Sequence, residues 1–334
     1  RETVLVYSSS GAMHVLAVSG LHVGIIFLAF SYFLFFLDRI KYGPYLKAII
    51  LILILWSYAL FTGMSASVLR ASTMFSFVII GGMLKRKTNI YNTLAASAIF
   101  LLIIDPLIIM QVGFQLSYIA VIGIVYLQPK IYKLFYFNNW FLDKIWIISS
   151  VSIAAQIATF PLGMYYFHQY PNYFLLSNLF VIPLATIILN LSLLMFVTTF
   201  FSLVSELISQ IINYLVSLLN SLVRWVDQLP YSLNLGIDIS FSETLIIYVS
   251  LIILIPSIVN KRFRNIQLSI IILIVFMILQ ITEMSSIFNQ KKIVFYDVPK
   301  GTAIDFIDGT NCYFIATDWL PKDKSKMRFN ILHN

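Results

Sequence analysis

Long uncharged apolar runs recur along this chain, among them Ala48 to Phe61, Ile246 to Ile255 and Leu268 to Ile281. Hydrocarbon offers no hydrogen-bond partner to a backbone, so a run that enters it must fold as a helix or join a closed barrel. With their apolar flanks, several runs approach the roughly 20 residues that cross a hydrocarbon core. They are too many for a signal segment or a single anchor. Only 11% of the 334 residues are charged, against about 25% in an ordinary soluble domain. The sequence therefore predicts an all-α polytopic membrane protein. Its one cysteine, Cys312, excludes an internal disulfide.

Apolar runs set against charged breaks place spans near 14–37, 46–62, 65–84, 90–104, 110–127, 145–161, 173–201, 205–228, 243–259 and 266–285. This gives about ten transmembrane helices, within a range of about 8–12. Arg39, Lys41 and Lys47 follow the first span, Lys85, Arg86 and Lys87 the third, Lys130, Lys133 and Lys144 the fifth, and Lys261, Arg262 and Arg264 the ninth. The turns after the second, fourth, sixth and eighth spans carry no Lys or Arg. Basic residues mark the cytoplasmic side of a membrane protein, so the N-terminus and the C-terminal segment are expected outside. The net charge of +8 then reflects topology, and by itself says little about an acidic partner.

Two spans are unusual. Residues 173–201 are long and hold Asn178 and Pro183, the pattern of a broken helix. In 205–228, Glu206, Gln210, Asn213, Ser217, Asn220, Arg224 and Asp227 recur at helical spacing. That stripe suits either a helix lying in the headgroup plane or one lining a watery path, and in neither case hydrocarbon. From Lys291 the pattern changes to three short strands, IVFYDV, TAIDFI and CYFIAT, the last two joined at Asp308-Gly309-Thr310-Asn311. The expected domains are thus a membrane domain over 1–285 and a short β-rich extramembrane segment over 291–334. Three strands cannot bury a core of their own, so the sequence is expected either to end inside a larger extramembrane domain or to pack this segment on the membrane part.

A polar group unsatisfied in hydrocarbon costs several kcal/mol, so intramembrane polar residues are the places to look for function. His14 and His22 flank Ser19 and Gly20 in HVLAVSGLHV, about 80° apart around an ideal helix. They fit either a tight helix crossing or a polar path. Arg70, in SASVLRA with Ser65, fits either a snorkelling side chain or a fixed cation for phosphate. Asp105-Pro106 ends one helix, and Gly113, Gln115 and Ser117 open the next. Gln156, Thr159 and Pro161 close the sixth span, with His168 and Asn178 beyond. In the expected topology His14, Arg70, Gln115, Gln156, His168 and Asn178 all come from the outer half of the membrane.

Four of these stretches together resemble the competence domain of the ComEC family: His-Val-Leu-Ala-Val-Ser-Gly-Leu-His-Val, Ser-Val-Leu-Arg-Ala, Asp-Pro-Leu with Gly-Phe-Gln-Leu-Ser-Tyr, and Phe-Pro-Leu with Tyr-Phe-His-Gln-Tyr, Ser-Asn-Leu and Ile-Pro-Leu. The resemblance implies a bacterial inner-membrane channel that passes single-stranded DNA to the cytoplasm during natural transformation. It implies outward DNA-binding competence proteins and a cytoplasmic helicase-type motor as partners, besides DNA and the lipid bilayer. The candidate path residues are His14, Ser19, Gly20, His22, Ser65, Arg70, Gln115, Ser117, Gln156, Asn178, Asn213 and Arg224. In relatives a metallo-β-lactamase-like domain follows the channel. IVFYDVPKGTA keeps Asp297, Val298, Gly301 and Ala303 of its opening strand, but Pro299, Lys300 and Thr302 depart from the pattern. The chain holds no His-x-His-x-Asp-His metal motif, so that domain is expected to be truncated or degenerate and the chain not an enzyme. No catalytic group, metal or cofactor is expected, and no G-x-x-x-x-G-K-[ST] phosphate loop is present. The competing expectation is a transporter of another anionic or polar solute, with an intramembrane enzyme built on His14 and His22 a third.

Overall fold

Each predicted span becomes a helix. A computed structural model describes residues 6, 7, 9–13, 20–84, 89–259, 261–298, 301–309, 311–318 and 320. His14, Ser19, Lys85, Arg86, Lys87, Pro299 and Lys300 lie outside the described residues. The chain divides into two compact units, Arg1–Phe241 and Ser242–Asn334.

The helices among the described residues are α1 (Gly20–Phe33), α2 (Gly43–Phe61), α3 (Ala66–Met83), α4 (Ile90–Ile104), α5 (Val112–Tyr132), α6 (Trp140–Phe167), α7 (Phe174–Val197), α8 (Ser202–Asp227), α9 (Phe241–Val259) and α10 (Phe263–Phe288). Seven of them, α2, α3, α5, α6, α7, α8 and α10, are long and apolar enough to cross a membrane, while α1, α4 and α9 are shorter. The 15 residues of α4 rise only about 22 Å, and a 3-10 turn, Pro106–Met110, extends it. Side chains such as Leu53, Phe61, Ile103, Phe196 and Ile252 face outward, as a hydrocarbon solvent requires.

Within the first unit α3 is the hub, touching α1, α2, α4 and α5. Its sequence, ASVLRASTMFSFVIIGGM, is rich in Ala, Ser and Gly, which lets neighbouring backbones approach without a hydrophobic drive between helices. Ser72 Oγ donates to the Leu55 carbonyl of α2, and Trp56 Nε1 of α2 donates to Ser76 Oγ. The α5–α6 crossing is closer still: a Cβ on Gly123 would lie 2.2 Å from Ala158 Cβ. Between α7 and α8, Val181, Leu219 and Val223 bury Tyr7 and Ala12 of the N-terminal segment.

Two expectations change at prolines. The helix predicted over 173–201 is unbroken: α7 runs through Pro183, because Val181 and Leu184 on either side pack into the cluster just named. Packing of neighbours is what permits proline inside a membrane helix. Likewise α6 passes fully buried Pro161 and continues to Phe167. It ends where His168 turns left-handed at φ 51°, its N–H donating to the Met164 carbonyl.

That turn leads into β1 (Gln169–Pro171), which pairs antiparallel with β2 (Leu233–Leu235), Tyr170 opposite Asn234. In the second unit α9 and α10 are tied by Ser250 to Ser269 and by Gln280 donating to Glu243. An antiparallel sheet follows: β3 (Lys291–Val298), β4 (Gly301–Asp308) and β5 (Asn311–Ala316). Its strands and the β4–β5 turn, with Gly309 at φ +61°, fall where the alternating pattern predicts them.

Candidate functional site

The described polar groups of the four motifs lie at one end of the first unit. Odd-numbered helices from α1 to α7 begin at this end and even-numbered ones from α2 to α8 finish there, as the contacts below establish.

At its first crossing, α1 presents Gly20 to Arg70 of α3. A Cβ on Gly20 would lie 2.8 Å from Arg70 Nη2 and 3.4 Å from Ala71 Cβ, so only a glycine leaves the guanidinium its place. One turn further, Gly24 abuts the Phe75 ring, which stacks on Phe27 at 4.8 Å. Arg70 is 7% exposed, so of the two readings its sequence leaves open, the snorkelling one does not hold. A one-residue spacing from Leu69, which packs toward α4 and α5, turns Arg70 inward instead.

Arg70 meets α5 through an aromatic face: its Cζ lies 5.8 Å from the centroid of the Tyr118 ring. The Tyr118 hydroxyl is 2.9 Å from Ser97 Oγ, and Ser97 Oγ donates to the Leu94 carbonyl of its own helix. With the serine proton committed there, the tyrosine donates. The fork of the guanidinium is left without acceptors among the described residues. Nε is enclosed and has no hydrogen-bond partner, and among the described residues Arg70 is in no ion pair. Contact with an aromatic face is worth about 0.5–2 kcal/mol, whereas taking an ion out of water costs several kcal/mol. Among the described residues the guanidinium is therefore under-compensated.

Beside it, Asp105 caps the 3-10 turn by accepting from Leu107 N, which delivers Gln115 to the first turn of α5. Gln115 Nε2 donates to the Ile109 carbonyl, and its Oε1 accepts from the Tyr166 hydroxyl near the end of α6. Both ends of this amide are thus satisfied, and the second bond ties α5 to α6. Ser117 turns back onto the Phe114 carbonyl of α5, and Ser65, ahead of α3, is exposed. His22 sits half-buried on α1.

Gln156 does not join the Gln115 bridge. It opens on a cleft of about 450 Å³, where Ile153, Ile157, Phe160 and Met164 of α6 face Tyr170, Phe174, Asn234 and Ile237. The β1–β2 ribbon roofs this cleft. Asn172 donates to the Tyr231 carbonyl, Tyr173 to the Pro230 carbonyl, and the His168 ring sits 3.2 Å from the Ile237 carbonyl. Asn178 is buried at the start of α7, with Oδ1 enclosed and unpartnered.

On α8 the polar stripe divides. Tyr7 donates to Asn220 and Ser9 to Asp227, so the N-terminal segment covers the stripe's C-terminal end. Glu206, Gln210, Asn213, Ser217 and Arg224 stay exposed, and Arg224 Nε donates to the Asn220 carbonyl. The structure does not bring Asn213 to the Arg70 cluster. Tyr118, Ser97 and Tyr166 are the members that sequence reasoning missed. Tyr118 stands three residues after Gln115, hence on the same helical face, a signal that was available; Ser97 has no sequence signal. Among the described residues no three His, Cys, Asp or Glu side chains cluster as a metal site.

These features define a class: a polytopic helical membrane protein that gathers its buried polar chemistry at one end of its helices. Within that class the chain belongs to the Competence protein family, whose model matches residues 1–262. It is similar to ComE operon protein 3 of Bacillus subtilis (strain 168), 29% identical over 185 residues, 55% of this chain and 23% of that protein. It is also similar to Recombination protein 2 of Haemophilus influenzae, 28% identical over 200 residues, 57% of this chain and 25% of that protein. The chain thus matches about a quarter of each relative's length. No solved structure matches it.

Proposed function

We propose that this chain forms the membrane channel through which single-stranded DNA enters the cytoplasm in natural transformation. The observation that carries the reading is the meeting of Gly20, Arg70, Tyr118 and Gln115 at one end of α1, α3 and α5, together with membership of the competence family. A nucleic-acid strand carries a charge at every nucleotide, and a dense array of fixed cations would hold it. Polar and aromatic linings release it, since stacking tolerates any base. The Gln156 cleft, with Phe160, Tyr170 and Phe174, offers such a lining.

In this reading the Gly20–Arg70 end faces outward in the bacterial inner membrane, where DNA-binding competence proteins deliver the strand. His14, Ser19, His22, Ser65, Ser117, Asn178, Asn213 and Arg224 line the path or brace its walls. A cytoplasmic helicase-type motor supplies the pull, and the chain performs no chemistry on DNA. The test is deletion of the gene followed by transformation with marked DNA. A loss of transformants by several orders of magnitude, restored by the intact gene, is expected. Undiminished transformation, with the protein confirmed in the parent's membrane, refutes the reading. The uncompensated Arg70 also suits a carrier of another anionic solute; that alternative predicts saturable solute uptake lost in Arg70→Ala with DNA uptake spared.

A further inference from the structure

Arg70 poses a question that the channel reading alone does not answer. Arg70 is 7% exposed, yet it donates no hydrogen bond to the described residues and Nε is enclosed and unpartnered. The counter-ion cannot come from the surrounding helices. α1, α2, α3, α4 and α5 contain no Asp or Glu, and Asp105, at the end of α4, accepts from Leu107 N and forms no ion pair with Arg70. Among the described residues the guanidinium meets the ring face of Tyr118 and the backbone of Gly20.

We propose that Arg70 is a binding site for a single phosphate group, built jointly by Gly20 and Tyr118. Three properties of the site select that ligand class. The fork presents parallel N–H donors matched to two oxygens of one tetrahedral anion. Tyr118 meets the guanidinium with its ring, 5.8 Å from centroid to Cζ, a contact that uses none of the N–H donors. The missing side chain at Gly20 lets Nη2 take its place at the α1–α3 crossing, since any Cβ would stand 2.8 Å from it. The glycine of the first motif and the arginine of the second are thereby one device.

This deepens, and rests on, the channel reading, for there the phosphate is one phosphodiester of the passing strand. One buried cation catches and releases successive phosphates, where a row of them would retain the strand. The same chemistry is found in a lipid headgroup, and the test separates the two sources.

The experiment uses the full chain in maltoside detergent, which contributes no phosphate, and reads thermal unfolding with inorganic phosphate against chloride at equal ionic strength. A ligand at 100 times its Kd shifts the folded-to-unfolded ratio about 100-fold. Protection of the native chain that is lost in Arg70→Gln and reduced in Arg70→Lys is the expected result. Equal protection of native chain and Arg70→Gln, or protection of neither, overturns the proposal.

Should Arg70→Gln fail to fold, Gly20→Ala decides the matter. Its methyl displaces the movable end of a side chain and keeps the charge, so a weakened phosphate affinity supports the site and an unchanged one overturns it. Short thymidine oligonucleotides and phosphatidylglycerol, added separately, identify the source: protection by the oligonucleotide and not by the lipid is expected, and protection by lipid alone overturns the strand assignment. Gene deletion keeps the two readings apart. Phosphate protection with transformation unaffected by deletion removes the channel and keeps the site, whereas transformation that needs the gene without phosphate protection does the reverse.

Discussion

The α5–α6 crossing offers a sharp test of how this bundle is assembled. In Gly123→Ala the new Cβ would sit 2.2 Å from Ala158 Cβ, while carbon atoms rest at about 3.5–4.0 Å. The helices must part by about 1.5 Å, at an overpacking cost of roughly 1–3 kcal/mol. The next neighbours of that Cβ are the Ala154 carbonyl oxygen at 3.2 Å and Ala158 Cα at 3.6 Å. Deleting the Ala158 methyl therefore removes most of the clash, though a glycine in a helix costs about 0.5–1 kcal/mol. Thermal unfolding of the four members of the cycle, native, Gly123→Ala, Ala158→Gly and both together, measures the coupling. A favourable coupling of about 1–2 kcal/mol is expected, seen as a double variant that melts above Gly123→Ala. Strict additivity, with the double variant least stable of all, refutes the close crossing. The Gln115–Tyr166 bond joins these same two helices, so under the proposed channel function DNA uptake should follow stability through the cycle.

Three further outcomes are expected. Tyr166→Phe and Gln115→Leu should each destabilise the chain and couple by about 0.6 kcal/mol, the scale of a hydrogen bond between membrane helices, in a double-variant unfolding cycle. Asn220→Leu removes the acceptor of the Tyr7 hydroxyl and should cost about 1 kcal/mol, with limited proteolysis striking within residues 6–13 before α8 is cut. In the C-terminal sheet, burial and then the bond to Asp305 push the Tyr296 hydroxyl from the ordinary 10.0 up to about 12. Its contribution to stability should be complete below pH 10 and vanish as pH rises toward 12, followed by phenolate absorbance. Asp305 also holds the exposed Cys312 thiol above its usual range, so Asp305→Asn should speed Cys312 alkylation at fixed pH.

The residues show how far the sequence could be read. Charge-free runs located the helices because composition alone decides what may enter hydrocarbon, and period-two alternation located the strands. The polar groups worth attention were also legible, since an intramembrane Arg, Gln or His is conspicuous against leucine. Their partners were not. Arg70 looked free to reach the headgroups, and only the packing of α1, α4 and α5 around α3 shows it enclosed. Pro183 looked like a break, and Pro161 like the close of the sixth span, because local rules treat proline without its neighbours. Gln115 and Gln156 looked alike, yet one bridges two helices and the other lines a cleft.

What the sequence by itself determined is the class of structure and its element order: helices fit for lipid, short basic connections, a β-rich end. Those follow from transfer of side chains and backbone between water and hydrocarbon, which depends on what each residue is. Only the tertiary structure decided which polar groups meet. Contact between Gly20 and Arg70, or Gln115 and Tyr166, depends on how helices distant along the chain are turned about their axes, and close packing of the whole bundle sets that rotation.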